Sequence, residues 1–236
     1  MHEIAAKRES FRIFDRIAGI YDLINDVISL GLQRFWRRQM IQVLPKGDAL
    51  NIIDLATGTA DVPLTLIKEK KVCSVLGVDL SQNMLQVGRK KIEKAGLESR
   101  ISLQVGDAMS LACESSFYDA VTISFGIRNM PDPDRCLQEC FRVLKQGGRA
   151  IVLEFGQPRN RVMLLLFQIY MKIFVTPIGA LMGHATAYRY LDQTVKTFPS
   201  GDKFIKLMNE AGFTQAGMKS LMGGIVMLYW ADKLKK

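Results

Sequence analysis

Leu50-Asn51-Ile52-Ile53-Asp54-Leu55-Ala56-Thr57-Gly58-Thr59-Ala60-Asp61 is the stretch on which the fold turns. A short β-branched run carries Asp54 and enters a turn of small residues, and a helix is predicted from Asp61. An apolar strand feeding a tight turn and a helix N-terminus is the cradle on which open α/β sheets hold nucleotide-like ligands. Gly58 can take positive φ or let a ligand approach the backbone closely. Thr59 offers a hydroxyl and an N–H at the mouth. The next apolar run, Val75-Leu76-Gly77-Val78-Asp79, ends in an acid about 20 residues further on, the spacing at which a carboxylate holds ribose hydroxyls.

A dinucleotide site needs G-x-G-x-x-G, because a pyrophosphate must lie against bare backbone. Here Ala60 and Pro63 occupy the second and third glycine positions, and Asp61 at the helix start repels a diphosphate. An adenosine cofactor with no phosphate and a positive centre fits better, which points to S-adenosylmethionine. Asp54 and Asp61 suit its sulfonium and α-amino charges. The third strand ends Val105-Gly106-Asp107-Ala108-Met109, where Asp107 can accept the adenine amino group and the Ala108 N–H can reach a ring nitrogen.

Outward from this unit, strands and helices alternate. Strands are predicted at 50–56, 73–79, 101–106, 118–124 and 149–155, and helices at 61–70, 82–95 and 133–145. Ser81 reads as an N-cap and Gly96 as a C-terminal stop. Asp132-Pro133-Asp134 opens the third helix and Gly147-Gly148 follows it. Such alternation gives a parallel sheet with helices on both faces. A helix at 202–211 and strands near 214–221 and 224–231, split by Gly223-Gly224, close the sheet with a hairpin. The expected fold is the class I S-adenosylmethionine-dependent methyltransferase fold, a mostly parallel seven-stranded sheet with a C-terminal antiparallel hairpin, in a single domain spanning 1–236.

Two segments lie outside that core. Residues 10–44 are predicted helical, with Phe11, Phe14, Ile17, Ala18 and Tyr21 on one face and a second piece from about 33, a helical lid for the cofactor site. Residues 160–195 form an apolar insertion after the fifth strand. Its stretch 162–182 approaches the length of a bilayer span, but Lys172 and Pro177 weaken that reading. A helical cover that receives an apolar substrate or touches the membrane surface is preferred.

The 236 residues are 48% hydrophobic, ample for a core, and carry a net charge of +9. Excess base suits nucleic acid or an anionic membrane. The cations are scattered and not interleaved with aromatics, so no nucleic-acid groove is expected. Cys73, Cys113, Cys136 and Cys140 form no C-x-x-C, and two histidines make no metal cluster. Free thiols without a signal peptide indicate a cytoplasmic protein, with peripheral contact at the inner face of the membrane and a homodimer left open.

Four blocks in order carry a resemblance that runs from about Phe11 to Trp230. They are Tyr21-Asp22-Leu23-Ile24-Asn25 with Ser29 and Trp36, then Ile123-Ser124-Phe125-Gly126-Ile127-Arg128-Asn129, then Arg142-Val143-Leu144-Lys145 with Gly147-Gly148 and Leu153-Glu154-Phe155, and finally Tyr188-Arg189-Tyr190-Leu191. On these the chain resembles the ubiquinone/menaquinone biosynthesis C-methyltransferases, the UbiE/MenG family. It departs at Thr57 and Ala60, where the family usually has Gly, and at Gln33, where it usually has His. The resemblance implies methyl transfer from S-adenosylmethionine to a ring carbon of a prenylated quinol, demethylmenaquinol becoming menaquinol. The methoxybenzoquinol precursor of ubiquinone is the alternative acceptor, and an RNA-directed methyltransferase the alternative of another class. It places cofactor contacts at Thr59, Asp79, Asp107, Ala108 and Ser124, beside Gly58. Carbon is a poor nucleophile, so a ring hydroxyl must lose its proton. Arg128 is expected to hold the oxyanion or orient a water, Asn129 to fix the hydroxyl, and Tyr188 to line the ring site.

Overall fold

The computed structural model describes residues 10–158, 160–175 and 193–234. Three helices come first: α1 (Ser10–Ile17), α2 (Tyr21–Ser29) and α3 (Leu32–Gln42). The helical stretch read over 10–44 is thus broken twice. Leu30 (φ 51°) and Gly31 (φ 75°) take successive left-handed conformations, which stop α2 and turn the chain into α3.

The core follows as β1 (Leu50–Leu55), α4 (Asp61–Leu66), β2 (Val72–Asp79), α5 (Gln82–Ala95), β3 (Ile101–Val105), β4 (Tyr118–Ser124), α6 (Pro133–Val143) and β5 (Leu144–Phe155). After β5 come α7 (Arg161–Tyr170), α8 (Asp202–Glu210), β6 (Thr214–Leu221) and β7 (Val226–Asp232). The seven strands form one sheet in the order β3-β2-β1-β4-β5-β7-β6. β1 to β5 pair in parallel, and β7 runs antiparallel to both β5 and β6. The chain leaves β1 toward β2 and β3 on one side and returns to β4 and β5 on the other. The carboxyl ends of β1 and β4 therefore flank the point where strand order reverses, the place where such sheets bind ligands.

The sheet explains its own sequence. Ile52, Ile53 and Leu55 of β1 are fully buried, because helices cover both faces and leave no solvent side for alternating polar residues. Odd and even positions separate into two cores. Ile53, Leu55, Val121 and Ile123 pack with α6 and α8, and Ile52, Ala120, Ile151 and Leu153 pack with Trp36 and Met40 of α3. Cys136 and Cys140 lie fully inside the first core as small apolar groups. The Ser81 hydroxyl accepts the Met84 N–H at 3.2 Å, Asp132 accepts the Arg135 N–H at 3.0 Å, and Gly96 ends α5 at φ 64°.

Two predicted boundaries moved by more than two residues. The helix read at 61–70 stops at Leu66, because Val72 must pair with Leu50 and the charged residues Lys68 to Lys71 are spent in the turn. The strand read from 149 begins at Leu144. Leu144 pairs with Tyr118, the chain bulges through Gly147 (φ 80°), and regular pairing resumes at Arg149 opposite Ala120.

α7 is a surface helix. Asn160 caps it by accepting the Val162 and Met163 N–H groups, and none of its residues is buried. It runs on into a single wider turn at Met171–Val175, and Tyr170 donates its hydroxyl to the Ile28 carbonyl at the end of α2. Among the described residues no helix is long and apolar enough to cross a membrane. The remainder of the segment read at 160–195, up to residue 192, lies outside the described residues, and with it Tyr188 and the block Tyr188-Arg189-Tyr190-Leu191.

Candidate active site

The turn after β1 winds through three left-handed residues, Ala56 (φ 51°), Gly58 (φ 55°) and Ala60 (φ 64°). Only Gly58 takes that conformation without steric cost. The two alanines hold it at about 1–2 kcal/mol each, strain of the kind found where backbone is shaped around a ligand. On the neighbouring strand the chain repeats the device: Phe125 sits at φ 56° directly after Ser124. Gly126 then passes so close to Ala56 that a Cβ there would lie 2.5 Å from the alanine methyl. The ends of β1 and β4 are thereby pinned together at the switch point.

Two cavities open beside this point. The smaller, about 180 Å³, is lined by Gly58, Asp79, Gly106, Asp107, Ala108, Ser124 and Asn129, with Phe14 and Tyr21 from the N-terminal helices. The larger, about 380 Å³, is lined mostly by apolar side chains of α1 to α3 and α7, with Ser124, Phe125, Arg128 and Phe155 from the core. Phe14, Tyr21, Ser124 and Phe125 belong to both, so the cavities meet there.

The smaller cavity contains five of the predicted cofactor residues: Gly58, Asp79, Asp107, Ala108 and Ser124. Asp79 accepts the Gly58 N–H and the Ser81 N–H, each at 2.8 Å, one on each carboxylate oxygen. It is thereby held rigid. Burial pushes its carboxyl up, and the backbone N–H groups oppose that. Asp107 uses Oδ1 on the Met109 N–H at 2.8 Å. Ser124 Oγ is buried with no hydrogen-bond partner among the described residues. Two carboxylates, an orphaned hydroxyl and no lysine or arginine among the described lining residues suit an uncharged ribose and adenine, and exclude a diphosphate. S-adenosylmethionine fits this donor and acceptor set.

Three side chains singled out in the sequence are already engaged within the protein. Thr59 lines neither cavity. Its hydroxyl donates to Asp22 Oδ1 at 2.6 Å and accepts from Lys91 Nζ at 3.2 Å, so it ties α2 to the core. Asp61 offers no free charge to an α-amino group, because Arg37 pairs with it at 2.7 Å and Lys91 pairs with its other oxygen. Asp54 is also sealed off. It is 1% exposed and accepts the Thr122 hydroxyl at 2.5 Å. Burial pushes its carboxyl up to about 7, against the opposing hydroxyls of Thr122 and Thr57.

Arg128 and Asn129 share a single 3₁₀ turn, Ile127–Asn129, yet line different cavities: Arg128 the larger, Asn129 the smaller. The Arg128 guanidinium is buried. Its Nη1 donates to Glu154 Oε1 at 2.7 Å and to the Phe125 carbonyl at 2.5 Å, and its carbon lies 5.2 Å from the centre of the Phe155 ring. Its Nε has no partner among the described residues.

Sequence reading missed Phe14, Tyr21 and Glu154 as parts of the site. Glu154 carried a signal, a lone carboxylate inside an apolar strand. Tyr21 stood in the first family block, but its phenol, pushed up by burial beside Asn25, comes to the junction only through the packing of α2 on the sheet. Among the described residues no cluster of His, Cys, Asp and Glu could hold a metal.

Comparison with known proteins agrees with this geometry. The model of the ubiE/COQ5 methyltransferase family matches residues 2–233. A Bacteroides fragilis protein named demethylmenaquinone methyltransferase is 40% identical over 223 residues, 94% of this chain and 91% of that protein. A Syntrophotalea carbinolica protein named ubiquinone/menaquinone biosynthesis C-methyltransferase UbiE is 42% identical over 217 residues, 92% of this chain and 91% of its own length. S-adenosyl-L-methionine-dependent methyltransferase structures from Thermotoga maritima and Methanococcus maripaludis superpose with TM-scores of 0.66 each, at 19% and 17% identity. Both cover 94% of this chain, matching 99% and 94% of their own, and establish the fold. The chain belongs to the ubiE/COQ5 methyltransferase family and is an S-adenosylmethionine-dependent methyltransferase.

Proposed function

We propose that this enzyme methylates a ring carbon of a prenylated quinol, converting demethylmenaquinol to menaquinol. One observation carries the reading: a polar cavity suited to the donor meets, at Ser124 and Phe125, a larger apolar cavity lined also by Arg37 and the buried Arg128. A nucleic-acid acceptor would need a basic groove, whereas this second cavity is walled by Phe, Ile, Leu and Met side chains. The Bacteroides fragilis relative's name supports the naphthoquinol; the methoxybenzoquinol is the second acceptor to compare.

The donor, when bound, supplies an electrophilic methyl group. The chain's own residues do the rest. Gly58, Asp79, Asp107, Ala108 and Ser124 hold the donor. Arg128 directs its unpartnered Nε–H at the hydroxyl ortho to the reacting carbon and stabilises the developing phenolate. Because Glu154 already balances its charge, this acts through a positioned donor more than through net charge. Asn129 stands on the donor side of the junction and orients the reacting pair. The N-terminal helices serve as the lid. Exposed Leu30, Leu165 and Leu166, with Arg161 and Lys172 nearby in the chain, suit peripheral contact with an anionic membrane that holds the prenyl chain.

The test is purified enzyme with methyl-labelled donor and reduced prenyl naphthoquinols and benzoquinols side by side. Label in the naphthoquinol ring is the expected result, and label in neither quinol would overturn the reading. Flotation with anionic vesicles tests the membrane contact separately.

A further inference from the structure

Trp36 of α3 presents an anomaly. Its indole lines the larger cavity, 6% exposed, with its ring centre 5.9 Å from that of Phe125. Its Nε1–H is buried and finds no acceptor among the described residues. An indole needs a partner for that proton when it leaves water, and leaving one unmade costs about 1–3 kcal/mol. Phenylalanine would fill the same apolar wall without that cost. Among the described residues that line this cavity, the buried polar side-chain atoms without a partner include Trp36 Nε1, Arg37 Nε and Arg128 Nε, all donors that cannot accept, and the Ser124 hydroxyl. A cavity with apolar walls and such a donor set is built for a flat apolar ligand bearing more than one oxygen.

Resting on the quinol reading above, we infer that Trp36 is a specificity-determining residue whose Nε1–H binds the second ring oxygen, the one beside the prenyl chain and away from the methylated carbon. Arg128 serves the oxygen next to the reacting carbon, and Trp36 serves its para partner. With both oxygens held the ring cannot rotate in its plane, and the free ring carbon faces the junction at Ser124. Neither chain propensity nor the donor site requires Trp at this place. The N–H is useful only to an acceptor that arrives with the ligand.

The experiment pairs a protein change with a matching ligand change. Trp36→Phe keeps an aromatic ring and removes the N–H. The quinol is compared with the naphthol that keeps the hydroxyl beside the methylated carbon and lacks the one beside the prenyl chain. Wild-type enzyme is expected to favour the quinol over the naphthol in kcat/KM by about tenfold, the worth of one hydrogen bond. Trp36→Phe is expected to lose that preference, with KM for the quinol raised about tenfold and the naphthol unchanged. Equal losses on both ligands, as from a donor that serves packing or an internal water, would overturn the assignment, as would an unchanged preference. S-adenosylhomocysteine binding at wild-type affinity verifies the fold of the variant. If that is lost, benzothienylalanine at position 36, which keeps the bicyclic shape without the N–H, gives the same comparison. Methylation of neither ligand by the wild type would be the failure of the quinol reading itself and is thereby distinguishable.

Discussion

Glu154 Oε1 lies 2.7 Å from Arg128 Nη1, and both side chains are withdrawn from water, at 0% and 6% exposed. Glu154 lines neither cavity. It also accepts the backbone N–H of Arg128 at 3.3 Å and that of Phe155 at 2.8 Å. The carboxylate thus fixes both the backbone and the head of the arginine, while Nε has no partner among the described residues. Arg128→Lys keeps the charge and loses the planar fork. We expect kcat to fall about a hundredfold, with S-adenosylhomocysteine affinity by calorimetry unchanged, since Arg128 lies outside the donor cavity. A matching loss of affinity would mean that Arg128 holds the donor.

Asp79, the proposed ribose partner, accepts two backbone N–H groups. Asp79→Ala removes the acceptors for Gly58 and Ser81 together with the ribose partner. Hydrogen bonds to a charged group contribute about 1.5–3 kcal/mol. Affinity for S-adenosylhomocysteine should fall at least tenfold, while the apolar cavity, probed by a fluorescent prenyl analogue, keeps its affinity.

Lys91 is where α2, the turn after β1 and α4 are held together. Its Nζ lies 2.8 Å from Asp22 Oδ2 and also pairs with Asp61. The side chain is 27% exposed, so the pairing is partly screened and its worth is about 1 kcal/mol. Lys91→Met should lower the urea midpoint modestly in dilute buffer. In about 1 M salt, where screening acts over about 3 Å, the difference should shrink. A deficit that grows with salt would rule out an electrostatic clamp.

Asp54 makes stability depend on pH in a sense opposite to the usual carboxylate. Its folded carboxyl is raised to about 7 from an ordinary 3.8. Between those values the folded chain keeps a proton that the unfolded chain has released, so stability falls as pH rises through that window. The full penalty, about 4 kcal/mol, is present above pH 7. Asp54→Asn retains an acceptor for Thr122 and cannot ionise. The difference in unfolding free energy between variant and wild type should therefore widen from pH 4 to pH 7 and then level off. A constant difference would show that Asp54 is ionised throughout.

Gly126 is held against Ala56. Gly126→Ala puts a methyl 2.5 Å from the Ala56 Cβ and must part the ends of β1 and β4. Overpacking of this sort costs about 1–3 kcal/mol. Both the melting temperature and donor affinity should drop, because the moved backbone carries Gly58 on one side and Ser124 on the other.

Much of this was readable along the chain. The β1 run, the acids closing β2 and β3, and the caps at Ser81 and Asp132 are local signals, set by residue chemistry within a few positions. With the apolar runs they placed all seven strands and set Asp79 and Asp107 at strand ends beside one cavity. Local reading failed at Leu144, where β5 starts early because its partner Tyr118, not its own neighbours, determines the pairing. It also did not foresee the partners of the Thr59 and Asp61 side chains. Nothing nearby in sequence says that Asp22 and Lys91, from separate helices, claim both side chains.

The sequence by itself determined the sheet, the cofactor and the family, because those follow from periodicity, turn chemistry and short blocks of residues. The tertiary structure decided which charges remain available. Asp54 and Asp61 are equally acidic in the sequence, yet one is buried beside Thr122 and the other neutralised by two cations. Arg128 and Asn129 are neighbours in the chain and face different cavities. A residue's chemistry is written in its type, but its freedom to act depends on what packing brings against it.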